Sequence, residues 1–355
     1  AHGLSGGLFK LKFSMRLRHF WLTSKLQKVV LLRCWCVMES WRLRYRKRVR
    51  LQRSNDTKIV YKNPVSQGFC YDKQVKKLSS VQVKNFQKKV WSFYRAQGRH
   101  NLPWRPPGLK LKKGILDMYL IMVSEIMLQQ TQVSRVLLKF KEWMKQFPNL
   151  KRLAQASRKD VLSLWQGLGY TRRAKFLHEA AQKIVKDGTP KTTVKLENLP
   201  GIGHYTARAI ATFAWNESHA FVETNIRTVY IDYFFIKKET VNDVEILHQV
   251  TQTLDKKNPR EWMYALMDYG SYLKSQGKGH NAKAKSFTRQ SKFKGSVREV
   301  RGAIMKFFTQ KETLTLRDKK EFEEKFDAER VLRALEGLIK DKLIRKEKNN
   351  YVIVE

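Results

Sequence analysis

The pentapeptide Leu199-Pro200-Gly201-Ile202-Gly203 constrains this chain more than any other stretch. Before it, Val194, Leu196 and Leu199 follow a short helical spacing; after it, residues 204–211 have the small and apolar pattern of a second helix. Proline with two glycines makes a tight reversal, because glycine accepts the positive φ that other residues resist. Two helices joined this way leave the first N–H groups of the second pointing outward. With Gly201 and Gly203 keeping the approach open, such amides bind phosphate without a side chain. An ordinary glycine-terminated turn is the alternative. Charge says where a phosphate would come from: 72 Lys and Arg against 31 Asp and Glu give a net charge of +41. The expected polyanion is nucleic acid. A membrane surface is the competitor, but the positive excess is spread along the whole chain rather than gathered on one helix.

The 355 residues suffice for one large core or two to three modest ones, and 42% hydrophobic residues mark a globular chain. Cys34, Cys36 and Cys70 offer no disulfide framework and only a weak metal pair, which points to a reducing, intracellular setting. Residues 1–75 read as a basic, poorly ordered extension; a transit peptide or a DNA-binding arm are the alternatives. The apolar run 20–38 is interrupted by Lys25, Lys28 and Arg33, so no membrane span is expected. Within a domain expected over 76–276, the pattern is helical from about Val81 and is broken by a proline-rich loop at 101–107. Val83, Phe86, Val90 and Phe93 share one face; 118–147 reads as one long helix; more helices come near 150–157, 158–165, 171–187, 242–255 and 259–273. The expected fold class is all-α. Residues 277–295 are a basic linker by composition. Residues 296–355 place Val297, Val300, Ile304 and Phe307 on one helix face and Val331, Leu335, Leu338 and Ile339 on another. A hairpin around Asn349-Asn350 ends the chain, so this part reads as a small winged-helix-like α+β domain.

Two acids stand out because their neighbours are apolar. Glu125 lies among Met122, Val123, Ile126, Met127 and Leu128, where desolvation would raise its pKa into the range of a proton donor. An outward-facing glutamate is the alternative. Glu223 comes after Phe221 and Val222 just before a helix, whose positive end favours its ionised form. One neutral acid and one carboxylate are what glycosidic cleavage needs. Gln129, Gln130, Thr131 and Gln132 are polar groups mid-helix, suited to wedging into a base stack or reading a base edge. Tyr170, beside Gly169, is placed to stack on a base or, alternatively, to cover the core.

Together LPWR (102–105), SEIMLQQTQV (124–133), LWQGLGYTRRAKFLHEAA (164–181), LPGIGHYTARAI (199–210) and MDYGS (267–271) resemble, in order and spacing, the MutY-type adenine DNA glycosylases. These belong to the helix-hairpin-helix base-excision superfamily, and the resemblance covers roughly 80–275. It implies a two-lobed α-helical fold that flips a base into the cleft between lobes. On that resemblance Glu125 matches the acid that protonates adenine at N7, Gln130 the wedge and Tyr170 the stacking tyrosine. Arg105 and Asn225 match pocket residues, and the 199–203 hairpin matches a phosphate clamp often assisted by a monovalent cation. Tyr205 stands where bifunctional members carry a Schiff-base lysine, so base release without efficient β-elimination is expected.

The chain departs from the pattern in three places. Glu223 falls where the family has aspartate, and a carboxylate moved by an ångström can cost about 10²-fold in rate. The four iron–sulfur cysteines would fall on Lys274, Asn281, Ala284 and Gln290, so no cluster is expected. The C-terminal region shows no nucleotide-hydrolase-like domain of the kind used to recognise 8-oxoguanine. The expected function is therefore a monomeric, monofunctional glycosylase acting on adenine opposite 8-oxoguanine or guanine in double-stranded DNA. A thymine or uracil mismatch glycosylase and a catalytically weakened DNA-binding homologue are the alternatives. Nucleoid, cytoplasm, nucleus or organelle all remain open as its place of work.

Overall fold

The computed structural model describes residues 77–105 and 117–354; the N-terminal extension and its three cysteines lie outside the described residues. The described chain carries fourteen α-helices and one small sheet.

Helix α1 (Ser80–Gln97) begins with a complete capping box at Ser79 and Gln82. Its buried face is Phe86, Val90 and Tyr94; Phe93 turns half outward. That face does not pack on its neighbours in sequence. It reaches across to α9 (Thr224–Phe234), α10 (Asp243–Thr253) and α11 (Pro259–Ser275), forming one lobe. Phe86 lies against Tyr230 and Trp262 with ring centroids 5.1 and 5.9 Å away. Tyr94 donates its hydroxyl to Glu261 at 2.7 Å.

The second lobe runs from α2 (Met118–Leu128) through α3 (Val133–Gln146), α4 (Leu150–Ala154), α5 (Arg158–Leu164) and α6 (Arg172–Asp187) to α7 (Thr193–Glu197) and α8 (His204–Trp215). Trp143 and Trp165 meet edge to face at its centre, 5.5 Å apart. Here the structure corrects the expectation of a single helix over 118–147. Gln130 takes φ 53° and splits it, so Gln129, Gln130, Thr131 and Gln132 form the break between α2 and α3 rather than a helix interior.

Helices α12 (Val297–Gln310), α13 (Leu316–Phe326) and α14 (Ala328–Lys340) enclose the C-terminal unit. Its sheet has the order β1 (Thr313–Leu314), β3 (Asn350–Ile353), β2 (Ile344–Glu347), antiparallel throughout. The helix–strand–helix–helix–hairpin order is winged-helix-like. Asn350 pairs with Glu347 inside the sheet, so the reversal falls at Lys348-Asn349, one residue earlier than the sequence suggested. Ile339 points outward, because Val331, Ala334, Leu335 and Leu338 already fill the inner face of α14. The strand β1 and the helix α13 have no counterpart in the sequence reading. Two residues are too few for a period-2 signal, and α13 buries little but Asp318. The unit docks on α5 and α6: Lys175 donates to the carbonyl of Asp341 at 2.9 Å, and Arg172 and Arg301 reach its carboxylate.

Residues 277–295 are not loose along their whole length. A 3₁₀ turn at His280–Lys283 buries Asn281, and Val241 bridges to Ala284 beside it. Among the described residues no helix is long and apolar enough to cross a membrane.

Gly270 lies where α11 comes close to the start of α9. A Cβ there would fall 2.1 Å from the carbonyl oxygen of Asn225 at the start of α9. Gly302, on α12, would meet nothing. Gly270→Ala is therefore expected to cost about 3 kcal/mol through overpacking, and Gly302→Ala to gain up to about 1 kcal/mol through helix propensity. Urea unfolding of the two variants checks the contrast.

Candidate active site

Helix α2 reads MYLIMVSEIML and is apolar on every side, so it must be enclosed. Met118, Tyr119, Ile121, Met122, Val123, Ile126 and Met127 are buried, and Glu125, half-buried, is the one carboxylate the helix carries among them. It receives no protein hydrogen bond among the described residues. Desolvation, then the nearby Glu223, push its pKa up to about 8, against a smaller opposing pull from Arg105.

Glu223 arrives from the other lobe as the N-cap of α9. Aspartate, asparagine or serine usually fills that position, because a short side chain reaches the first amides. Here the longer chain curls back: Oε1 accepts from the backbone N–H of Asn225 and of Ile226, both at 2.7 Å, and Oε2 accepts from Asn225 Nδ2 at 3.2 Å. The helix end does pull toward the ionised form, as the sequence suggested. Burial is the larger effect, however, so the pKa of Glu223 is also raised. Two desolvated carboxyls that sense one another do not both ionise readily. The proton belongs on Glu125, because only Glu223 has donors to hold a negative charge.

Tyr205, in the first turn of α8, is half-buried beside both acids. Its ring stands edge-on to Phe221 at 5.5 Å. Burial, Glu125 and Glu223 all raise its pKa well above that of a free tyrosine, so its hydroxyl stays a neutral donor. Arg105 is buried and fixed by Asp268, whose carboxylate it meets at 2.8 Å, and by the face of Tyr264, 3.9 Å from the guanidinium carbon. Arg99 takes the same carboxylate with three hydrogen bonds. Arg105 Nε has no partner. Asn225 meets Glu223 through both its backbone and its side-chain amide. Glu125, Glu223, Tyr205, Arg105 and Asn225 thus converge where the two lobes meet.

The remaining sequence candidates form a second group at the end of α2. Gln129 Nε2 donates to Thr206 Oγ1 at 3.3 Å, and Thr131 Oγ1 donates to Leu168 O at 3.2 Å. Gln130 is exposed; Tyr170 is 41% exposed at φ 48°. Two exposed non-glycine residues in the left-handed region, side by side, mark backbone strain of the kind that collects at working sites. What holds them is Arg173, which the sequence reading passed over. Its guanidinium donates to the carbonyls of Ile126, Met127 and Gln129 at 2.7, 3.0 and 2.5 Å, and to Leu168 O and Gly169 O at 3.0 Å each. It satisfies the carbonyls that the break in α2 releases. The one signal in the sequence is its place, three residues after a Gly-x-Gly-Tyr loop. Gln290 and Arg298, from the C-terminal side, both donate to the Tyr170 hydroxyl, and Gln290 reaches Gln130 Oε1 at 3.3 Å.

The hairpin closes the arrangement. Leu199 and Ile202 are buried anchors, while Gly201 and Gly203 are exposed. Gly201 takes φ 73°, and a Cβ there would strike Phe176 at 2.6 Å. Helix α8 starts at Gly203 with no side-chain cap, which leaves its first amides open to an anion. A cleft of about 510 Å³ lies between the hairpin and the end of α2, bordered by Gln129, Arg172, Phe176, Leu199, Gly201 and Gly203. Neither acid lines it; the cleft lies beside the open amides of the hairpin rather than beside the two acids.

Residues 123–252 match the model of the HhH-GPD superfamily base excision DNA repair proteins. This stretch is an HhH-GPD domain. An adenine DNA glycosylase of Mycobacterium tuberculosis is 43% identical over 136 residues, 38% of this chain and 42% of its own. The Homo sapiens adenine DNA glycosylase is 34% identical over 202 residues, 54% of this chain and 36% of its own. The chain thus spans less than half the length of these two relatives. A solved thermostable thymine-DNA glycosylase aligns over 54% of this chain and 87% of its own, at TM-score 0.47 and 21% identity, too slight a likeness to argue from. The HhH-GPD domain contains Glu125, Glu223, Tyr205, Asn225, Tyr170, Arg173 and the hairpin; Arg105 and Asp268 flank it.

The positions where family resemblance would put cluster cysteines do not fit an iron–sulfur cluster. Lys274 donates to Asn225 Oδ1 at 2.6 Å and Asn281 Nδ2 to Thr224 O at 3.3 Å. Ala284 bridges to Val241 and Gln290 holds Tyr170. None offers a thiolate.

The buried groups set two expectations for stability. An unfolded glutamate loses its proton near its ordinary 4.5, whereas Glu125 keeps it to about 8. Folding takes up a proton between those values, so this contribution is present below pH 4.5 and is lost as pH rises through 8. Glu125→Gln should remove that slope and match or exceed the parent at about pH 8.5, read from urea midpoints at about pH 5 and 8.5. Arg173→Met leaves several buried carbonyls unpaired and should cost about 3 kcal/mol in the same assay.

Proposed function

We propose that this chain is a monofunctional DNA glycosylase that hydrolyses the N-glycosidic bond of adenine mispaired with 8-oxoguanine or guanine in double-stranded DNA. The observation that carries the reading is the acid pair: Glu125, donor-free and desolvated, and Glu223, held over the N-terminus of α9. An HhH-GPD domain around that pair and adenine glycosylase relatives at 34–46% identity support the choice of base.

In this mechanism the open amides of the 199–203 hairpin, with or without a monovalent cation, grip a phosphate. Gln130 and Tyr170 enter the duplex, and the adenine turns into the junction between lobes. Glu125 gives its proton to N7. The C1′–N9 bond breaks with its electron pair moving into the base, and Glu223 stabilises the oxocarbenium ion. Water adds at C1′, its proton passes to a site carboxylate, and an abasic site is left. Tyr205 keeps its proton and supplies no amine, which fits release without β-elimination. In this reading no iron–sulfur cluster takes part, and the chain acts as an intracellular monomer wherever the DNA is. Residues 1–75 form a basic extension, 76–276 the catalytic body, 277–295 the connection and 296–355 a winged-helix-like unit.

Single-turnover cleavage of duplexes bearing A opposite 8-oxoguanine, A opposite G, and T or U opposite G tests the reading, with abasic sites revealed by alkali. Adenine release is expected, falling about 10²- to 10⁴-fold in Glu125→Gln. The rate should decline as pH rises through about 8, where Glu125 loses its proton. Release of thymine or uracil alone would move the protein to the other mismatch branch. Binding without any release would make it a DNA-binding homologue.

A further inference from the structure

Helix α11 meets the start of α9 through a single face. Gly270 brings the two backbones together, since any Cβ there would strike Asn225 O. One turn later, at i+4, the same face carries Lys274, whose Nζ donates to Asn225 Oδ1 at 2.6 Å. The amide of Asn225 donates in turn to Glu223 Oε2. A lysine has only donors, so its contact settles which way the amide lies: oxygen toward Lys274, NH₂ toward the carboxylate. A flipped amide would present its oxygen to Glu223 and its NH₂ to the ammonium, losing both bonds.

We propose that Lys274 is a positioning residue for the Glu223 carboxylate. Acting through the Asn225 amide, it locks the longer glutamate side chain in its curled rotamer over the N-terminus of α9 and supplies the positive charge that balances it. The proposal rests on the glycosylase reading in which Glu223 is the ionised acid. The groups facing Glu223 leave this role to Lys274. From α2 comes Glu125 and from α8 Tyr205, which carry no positive charge. From α9 comes Arg227, whose guanidinium is committed to Asp243 by two bonds of 2.8 Å. Lys274 is partly buried, has no carboxylate within ion-pair distance among the described residues, and is pulled toward neutrality by burial and toward charge by Glu223. Such a lysine is retained at a cost unless the charge it balances is needed.

The test uses the full chain with Lys274→Met, Lys274→Gln and Lys274→Arg. Glutamine can still donate to Asn225 but carries no charge. Two readouts are taken: the titration of Glu223 by carboxyl ¹³C NMR, assigned with Glu223→Gln, and the single-turnover rate against pH at saturating protein. Loss of the charge should raise the Glu223 titration, and with it the acid limb of the rate profile, by about one pH unit. The rate on the acid side should then fall about tenfold, with the plateau approached at higher pH and duplex affinity little changed. Lys274→Arg should restore most of the rate. Folded Lys274→Met and Lys274→Gln proteins with an unmoved Glu223 titration would overturn the proposal. So would weakened duplex binding with an unchanged pH profile, the mark of a simple phosphate contact. If the parent releases no base, the titration still decides: a shift keeps Lys274 in its role while the glycosylase reading fails.

Discussion

Two carboxyl groups brought within electrostatic reach of each other in an apolar junction are the constraint on which this molecule turns. Neither acid could be tolerated there alone without a partner or a proton. The solution is asymmetric. One lobe delivers its acid bare, on a helix with no polar face; the other delivers its acid on a helix end, wrapped by backbone amides. Each lobe has its own aromatic core, and where the lobes meet the two acids sit with Tyr205, Arg105 and Asn225. The buried Asp268 belongs to the same logic. It spends both oxygens on Arg99 and Arg105, fixing a positive charge near Glu125 without letting it form an ion pair that would deprotonate the acid.

Much of the fold was legible because its helices are strongly periodic and its turns carry glycine and proline where the backbone demands them. The hairpin could be placed to the residue, since Leu199 and Ile202 alternate with glycines and only one geometry buries the former. The α2–α3 break could not. LQQTQ contains no glycine or proline, and a glutamine in the left-handed region is chosen by what surrounds it, not by its own preference. The stabilising agent is Arg173, far along the chain, so no local rule would find it. Likewise α13 in the C-terminal unit presents so few apolar residues that its pattern resembles a solvated loop.

The site itself was legible in its chemistry but not in its balance. Apolar neighbours gave away both acids, and the helix after Glu223 gave away its amides. What sequence could not supply was the comparison of magnitudes: for Glu223, burial outweighs the helix end. Nor could it reveal that the long side chain would fold back as a cap.

Arg173 carries a consequence of another kind. The same guanidinium holds the carbonyls that end α2 and the carbonyls of the Leu168-Gly169 loop. Gln130 rides on the first and Tyr170 on the second. The backbones that carry the two exposed side chains are therefore tied to one guanidinium. In the proposed reading, a duplex that meets this surface meets both side chains on a single mount.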